Sequence, residues 1–372
     1  MAYTYAPEEM LARLVAFETV VGHSNAELID FVKGYLSDHG VAFHVLPGPE
    51  GDRFNLFATI GDPARPGYVL SGHVDVVPAG EPDWLGDPFA LREAGGKLIG
   101  RGACDMKGFD AAVLAAVPEL CAMDLSQPLH IALSYDEEAG CKGVPHLLAA
   151  LPELCARPAG CIVGEPTGLT PVLAHKGKAA VRFSAHGRSG HSSRPDLGSN
   201  AIHALVPVLA AACTQAENLQ SGPQDDRFQP SWSSLQIGTI AGGQAINIIP
   251  EQAEARIEAR AIDGVAPQDV LAPVIAAAGE DVSVEWLSSY PALALDRGHP
   301  LAEMVEAVSG REALGAVSFG TEAGLFQAAG IPSIICGPGD IARAHRPEEY
   351  LTRDELRGAF DMVVRLGRRL AV

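Results

Sequence analysis

Short apolar runs alternate with longer stretches of helical periodicity through the first half of the chain. Each run is brief and bounded by turn-forming residues, which is typical of buried strands. Strands are predicted at 42–46, 55–60, 68–72, 129–135 and 161–164. Ser24-Asn-Ala-Glu27 has the form of a capping box that opens a helix, which Gly40 ends. Further helices are predicted at 106–123 and 144–151.

The pattern changes after His175. The segments that follow are predicted as a strand at 179–185, a helix at 200–219, strands at 234–240 and 253–262, and a helix at 267–278. In 253–262, small apolar residues alternate with Glu and Arg, as in an antiparallel sheet with one open face. From residue 290 the alternation of predicted helices and strands resumes, with a helix at 300–308, a strand at 332–336 and a helix at 352–370.

This order of elements predicts an α/β fold with a mixed sheet and helices on both faces. Residues 1–175 and 288–372 are expected to form that domain, and 176–287 to form a second, α+β domain inserted into it. The length of 372 residues agrees with two domains, because single hydrophobic cores stop growing at about 250–300 residues.

Composition narrows the class of protein. Apolar residues make up 47% of the chain and charged residues 20%, which predicts an ordinary globular protein. The net charge of -19 argues against nucleic acid or an anionic membrane as a partner. The N-terminal residues lack the features of a secretory signal, and the seven cysteines are scattered, so we expect a cytoplasmic protein with reduced thiols. Cys104 is assigned no role.

Imidazole and carboxylate side chains collect where the predicted strands and loops end. They are His73 and Asp75 in "SGHVDVVP", Asp105 in "GRGACDMKG", Glu137 and Glu138 in "SYDEEAG", Glu165 in "IVGEPT" and His345 in "ARAHRPEEY". Ligands of open α/β sheets bind outside the carboxyl ends of the strands, so these groups could converge. Each alone has an ordinary alternative, such as a helix cap or a solvated charge pair. Together they suggest a metallohydrolase, and the number of carboxylates suits two ions of Zn²⁺, Mn²⁺ or Co²⁺.

These stretches, with "GRSGHSSRP", "GGQAINIIPE" and "HRPEEY", resemble the M20 family of metallopeptidases and deacylases almost from end to end. The resemblance implies a zinc-peptidase-like catalytic domain with two divalent ions, Zn²⁺ or Co²⁺, and an inserted lid and dimerisation domain. It implies that Asp105 bridges the two ions. His73 and Glu165 would complete the shell of one ion, and Glu138 and His345 that of the other.

The resemblance also implies the roles of the remaining site residues. Glu137 would be the general base, and Asp75 would hydrogen-bond the far nitrogen of His73 and so fix its tautomer. His191 would polarise the substrate carbonyl, reaching across from the partner subunit of a homodimer. Asn247 and Arg260 would hold the carbonyl and the α-carboxylate of the substrate. Without the resemblance, Arg260 could equally be an exposed arginine paired with a neighbouring glutamate.

Several motifs resemble the branch of the family that deacetylates N-acetyl-L-ornithine, among them "GACDMKGF" and "GPGDIARAHRPEEYL". The branch that desuccinylates N-succinyl-diaminopimelate would have a Ser-Gly-Gly-type run in place of Gly320-Thr-Glu-Ala323. Another N-acyl amino acid deacylase, a dipeptidase, and a silent binding protein that has lost catalysis are the alternatives. Redox chemistry with a nicotinamide cofactor is not expected, since no G-x-G-x-x-G motif follows a strand.

Overall fold

The computed structural model describes residues 3–372. Its α-helices are α1 (Pro7–Val15), α2 (Ala26–Asp38), α3 (Lys107–Cys121), α4 (Val144–Leu154), α5 (Ala201–Leu219), α6 (Pro267–Ile275), α7 (Pro300–Ser309), α8 (Ala323–Ala328) and α9 (Arg353–Leu370). Within residues 3–372, no helix combines the length and the apolar character needed to cross a membrane.

The strands follow the same chain order. They are β1 (Ala42–Pro47), β2 (Phe54–Ile60), β3 (Tyr68–His73), β4 (Arg92–Ala94), β5 (Lys97–Ile99), β6 (Leu129–Ser134), β7 (Gly160–Pro166), β8 (Ala174–His175), β9 (Gly177–His186), β10 (Gly190–His191), β11 (Ser234–Gly242), β12 (Ile248–Ile249), β13 (Gln252–Ala261), β14 (Val282–Tyr290), β15 (Leu293–Ala294), β16 (Ser333–Gly337) and β17 (Tyr350–Thr352).

The chain divides into two compact units. Among the described residues, the first consists of 3–174, 295–315 and 321–372. Its central sheet has the strand order β1-β2-β6-β3-β7-β16. The strands β6, β3, β7 and β16 run parallel, and β1 and β2 add an antiparallel edge. The predicted mixed α/β sheet is therefore confirmed. Every residue of β6 and β7 is buried, so both faces of this sheet are covered, as parallel strands require.

The second unit consists of residues 175–294 and 316–320. Its antiparallel sheet has the order β11-β13-β9-β14. Along β9, buried residues alternate with half-buried ones, so one face packs against α5 and α6 and the other carries the charged residues. The expected end of the insert at 287 falls inside β14, which pairs with β9 as far as Tyr290. The whole of β14 therefore belongs to the second unit.

One local prediction fails for an identifiable reason. The capping box at Ser24 is not formed, since α2 begins after Asn25 and no side chain caps it. The Ser24 hydroxyl instead donates to the carbonyl of Asp52. Gly40, with φ of +71°, takes the left-handed conformation that ends this segment as expected. The elements α1, α8 and β14 were not predicted, although Met10, Leu11, Leu14 and Val15 of α1 have the spacing of one helix face.

Candidate metal centre

The topology brings the ends of three parallel strands to one edge of the first sheet. His73 is the last residue of β3, Glu137 and Glu138 follow β6, and Glu165 lies near the end of β7. Because β6, β3 and β7 are adjacent and parallel, their carboxyl ends meet at that edge.

Two loops bring the remaining groups to the same place. Asp105 lies in the turn before α3, and His345 lies in the loop between β16 and β17. His345 has a φ of +57°, a conformation that is uncommon for a residue with a side chain. The structure thus brings together the seven ionisable residues that the sequence analysis selected from the first unit.

The two carboxylate oxygens of Asp105 face different partners. Its Oδ1 lies 3.1 Å from Nε2 of His73, and this nitrogen is 3.8 Å from Oε1 of Glu165. Its Oδ2 lies 3.3 Å from Nε2 of His345, which in turn is 2.8 Å from Oε1 of Glu138. One side of Asp105 therefore adjoins an imidazole and a carboxylate, and the other side adjoins a second such pair.

Ligand atoms lie close enough together for cation binding at two overlapping groups. In the part of the chain that the structure describes, each group has its ligand atoms within 4.8 Å of one another: His73 with Glu137 and Glu165, and His73 with Asp105 and Glu138. Imidazole nitrogen and carboxylate oxygen are the donors that Zn²⁺ and Co²⁺ accept, whereas Mg²⁺ prefers oxygen alone. The donor set fits a pair of divalent transition-metal ions.

The electrostatics favour cations in this space. Burial raises the pKa of Glu165, and the charges of Asp105 and Glu137 raise it further. Burial also raises the pKa of Glu137, with added repulsion from Glu138. Carboxylates that repel one another in a buried space need protons or cations to neutralise them. The excess of acids over bases here is what a dinuclear site of divalent ions would balance.

Asp75 differs from expectation in its partner. Nδ1 of His73 lies 2.9 Å from the backbone carbonyl of Asp75 and 3.6 Å from its carboxylate, so the carbonyl accepts the hydrogen bond. The carboxylate instead accepts the backbone N–H groups of Glu137 and Glu138, at 3.0 and 3.1 Å. The buried Asp75 therefore fixes the tautomer of His73 through its main chain and the turn of the two glutamates through its side chain.

A buried acid that the sequence analysis did not select lies behind these groups. Glu322 accepts hydrogen bonds from Ser71 at 2.5 Å and from Ser134 at 2.7 Å. Ser71 is on β3 and Ser134 ends β6, so Glu322 joins two of the three strands that carry candidate ligands. Glu322 lies in the stretch "GTEAGLF", which could have marked it as a candidate. Its role as a link between two strands becomes visible only in the folded chain.

The three residues expected to contact substrate all lie in the second unit. His191 ends β10, is exposed, and has its Nδ1 2.8 Å from the hydroxyl of Ser193. Asn247 precedes β12, the strand that pairs with β10, and its carbonyl accepts the N–H of Ser192. Arg260 is on β13, where its Nε donates to Glu258 at 2.7 Å.

Comparisons with known proteins agree with this geometry. Residues 69–369 match the model of peptidase family M20/M25/M40. An acetylornithine deacetylase of Edwardsiella ictaluri (strain 93-146) is 34% identical over 348 residues, which cover 91% of this chain and 89% of that protein.

Solved structures share the fold. An M20 family metallo-carboxypeptidase from Sulfolobus solfataricus superposes with a TM-score of 0.81 at 17% identity, covering 98% of this chain and 99% of that one. A Bacillus subtilis protein described as a dinuclear metal-binding peptidase of the M20 family superposes with a TM-score of 0.62 at 16% identity, covering 98% of each chain.

Proposed function

We propose a reaction and a substrate for this chain, which belongs to peptidase family M20/M25/M40 and is a hydrolytic enzyme. The reaction is hydrolysis of the acetyl amide of N-acetyl-L-ornithine to ornithine and acetate, a step of arginine biosynthesis. The observation that carries the proposal is the arrangement around Asp105, whose two oxygens each adjoin a histidine and a glutamate. The likeness to a deacetylase at 34% identity supports the choice of amide.

We assign the metal ligands from the contacts of Asp105. His73 and Glu165 would hold one ion with Oδ1 of Asp105, and His345 and Glu138 would hold the other with Oδ2. The mixture of imidazole and carboxylate suits Zn²⁺ or Co²⁺. When bound, such a pair would lower the pKa of water in the site and polarise the acyl carbonyl.

Glu137 is the residue proposed to move the proton. Its carboxylate takes a proton from the attacking water, whose oxygen adds to the acetyl carbon, and delivers that proton to the nitrogen as the C–N bond breaks. The turn that carries Glu137 is held by the carboxylate of Asp75. The thiol of Cys141 also donates to Oε1 of Glu137, at 3.3 Å. These contacts orient the base while its neighbour Glu138 is committed to metal.

Residues of the second unit are proposed to hold the substrate. Nδ1 of His191 contacts Ser193, which leaves Nε2 to donate to the carbonyl oxygen where negative charge develops. Asn247 would hold the same carbonyl, and Arg260 would bind the α-carboxylate through its guanidinium. Following the family resemblance, we propose a homodimer formed through the second unit, in which His191 acts on the partner's site. Cytoplasmic localisation stays a prediction from the sequence.

A substrate screen tests the reaction. The purified protein is treated with chelator, reloaded with Zn²⁺ or Co²⁺, and assayed for release of a free amine from several N-acyl compounds. We expect the highest kcat/KM on N-acetyl-L-ornithine. A higher value on N-succinyl-diaminopimelate, on another N-acyl amino acid or on a dipeptide would replace the proposed substrate with that one. No hydrolysis of any amide by the metal-loaded protein would favour a silent binding relative instead.

A further inference from the structure

Arg101 and Glu349 form a buried ion pair beside the metal centre. Nη1 of Arg101 lies 2.8 Å from Oε2 of Glu349, and each side chain is only 1% exposed. An ion pair removed from water is expensive to form, and replacing such a pair by apolar residues is often neutral or stabilising. A purely structural reason for this pair is therefore weak, and its neighbours suggest another reason.

Glu349 holds the backbone of the central metal ligand. Its Oε1 accepts the N–H of Cys104 at 2.9 Å and the N–H of Asp105 at 3.0 Å. One oxygen of Glu349 is therefore used by Arg101, and the other fixes the turn that presents Asp105. The orientation of the Asp105 carboxylate depends on this turn, in which the N–H groups of Ala103 and Lys107 donate to the carbonyls of Gly100 and Gly102, while Glu349 accepts those of Cys104 and Asp105.

Arg101 joins this turn to two other loops. Its Nη1 also donates to the carbonyl of Arg346 at 3.3 Å, directly after the ligand His345. Its Nη2 donates to the carbonyl of Pro78 at 3.1 Å and to Oε1 of Glu81 at 2.9 Å, in the loop that follows β3 and His73. The planar guanidinium can reach several acceptors at fixed angles, which a lysine ammonium cannot do in the same way.

The loop that carries His345 needs such support. His345 and Glu348 have φ values of +57° and +59°, in the left-handed region that side chains disfavour. Residues in such conformations persist only where the surrounding structure holds them. Arg101 donates to the carbonyl of Arg346 within this loop, and Glu349 is the last residue of the loop before β17. The pair therefore adjoins both loops that supply ligands from outside the sheet.

We propose that Arg101 and Glu349 are positioning residues that fix the Asp105 and His345 loops relative to each other, and so set the affinity for the pair of divalent ions. This inference rests on the proposed function, because it takes Asp105 and His345 as metal ligands. The hydrogen bonds of the pair to these two loops go to the backbone, to the N–H of Asp105 and to the carbonyl of Arg346, so the pair acts through the backbone that carries the ligands.

The test measures metal binding in the full-length protein, separately from folding. Glu349→Gln keeps the volume and one carbonyl oxygen for the two backbone N–H groups, but its amide N–H₂ would face the Arg101 guanidinium. We expect at least one of the two Zn²⁺ or Co²⁺ ions to bind about 10- to 100-fold more weakly, measured by competition with a chromophoric chelator. The visible absorption of the Co²⁺ form should change as well, since it reports the geometry of the ligands.

Glu8→Gln is the matched control. Glu8 on α1 accepts hydrogen bonds from Arg353 at 2.9 Å and Arg357 at 3.0 Å, so the same substitution also breaks ion pairs there. This control should bind both ions as the wild type does. Glu349→Gln leaves the buried guanidinium of Arg101 without its carboxylate, so metal-free Glu349→Gln should melt at a lower temperature than metal-free Glu8→Gln, and metal affinity is measured at a temperature where both are folded. A Glu349→Gln protein that binds both ions with wild-type affinity, whatever its melting temperature, would overturn the proposal.

Arg101→Lys provides a second, milder variant. It keeps the positive charge beside Glu349 but cannot reach all the acceptors of the guanidinium, so we expect a smaller loss of metal affinity than in Glu349→Gln. If neither variant folds without metal, the pair supports the fold itself and the proposal is wrong. The wild-type protein is titrated first. If it binds no divalent ions, the proposed function is refuted, and not only the role of this pair.

Discussion

The main sheets of the two units carry similar ionisable residues in different ways. In the second unit, charged side chains alternate along one face of β13, and Arg256 donates to Glu254 two residues away. In the first unit, His73, Asp105 and Glu165 lie at strand ends or in a loop, with 1% to 5% of their surface exposed. Their acids outnumber the bases that could neutralise them. Convergence and burial, rather than residue type, distinguish a group that can bind metal from one that forms a solvated ion pair.

The largest expected effect comes from removing the central acid of the first sheet. Asp105→Ala should lose both divalent ions and reduce amide hydrolysis to background, because its two oxygens adjoin both proposed pairs of ligands. The matched variant in the second sheet is Glu254→Ala, which removes an acid whose partners are the exposed Arg256 and the half-buried Arg182. It should keep its metal and nearly all of its activity. For both variants, mass spectrometry measures the bound metal and the rate of amine release measures the activity.

Equal losses in these two variants would contradict the distinction between the sheets. A fully active Asp105→Ala protein with two bound ions would remove the basis of the proposed reaction.

The second effect separates metal binding from proton transfer within the first unit. Glu137→Gln should retain both ions, because the proposed ligands are unchanged, while kcat falls by about 10²- to 10⁴-fold. Steady-state kinetics on N-acetyl-L-ornithine, together with the metal content of the same sample, give both quantities. A variant with normal kcat would show that another group moves the proton. One that loses metal would make Glu137 a ligand, as the cluster of His73, Glu137 and Glu165 would allow.

The sequence predicted the elements of the first sheet better than their contacts. The strand expected at 68–72 is β3, and the fold rule for parallel strands anticipated that His73, Glu138 and Glu165 would meet. The pairing of β3 with both β6 and β7 is a property of the folded chain. His345 was selected as a histidine in a loop beyond a predicted strand, but its role as a ligand came from the family resemblance, since no local pattern of the loop marks a ligand.

Contacts between distant residues account for what the sequence could not predict. Glu322 binds Ser71 and Ser134, which are far from it in the chain, so no spacing rule could assign its role. Asp75 was expected to bind His73 with its carboxylate, but the backbone N–H groups of the glutamate turn occupy that carboxylate. β14 was missed although Val282, Val284 and Trp286 alternate with Ser283 and Glu285; this alternation is short, because the register shifts between Trp286 and Ser288.

The third prediction tests whether the two arginines on the charged face of the second sheet differ in function. Arg256 and Arg260 both lie on β13, and each donates its Nε to the glutamate two residues before it. If Arg260 binds the α-carboxylate, Arg260→Gln should lower kcat/KM by about 10- to 100-fold, since a hydrogen bond to a charged group is lost. Arg256→Gln should stay close to the wild type. Similar kinetics for the two variants would make Arg260 a member of the surface ion pairs only.

The smallest expected effect is on stability, and it concerns the buried histidine His130 of the first sheet. His130 lies inside β6, its ring stacked on Phe57 with centroids 5.1 Å apart and its Nδ1 3.0 Å from the hydroxyl of Thr59. Burial lowers the pKa of His130 from 6.5 to about 4. The folded protein therefore keeps this imidazole neutral at pH 5, whereas the unfolded chain protonates it.

The sign of the resulting pH dependence follows from proton uptake. As the pH falls from about 6.5 to about 4, the unfolded state binds a proton that the folded state does not, so the free energy of unfolding decreases. The full decrease is about 3 kcal/mol.

His130→Asn should remove this contribution. In urea titrations with chelator present, the difference in unfolding free energy between the wild type and the variant should therefore change between about pH 6.5 and about pH 4. His44→Asn, an exposed position on β1, is the control and should follow the wild type. Parallel curves for the wild type and His130→Asn would mean that this histidine is protonated in the folded state too. Burial of an imidazole in the first sheet would then not suffice to keep it neutral, and the contrast between the two sheets would have to rest on the convergence of groups alone.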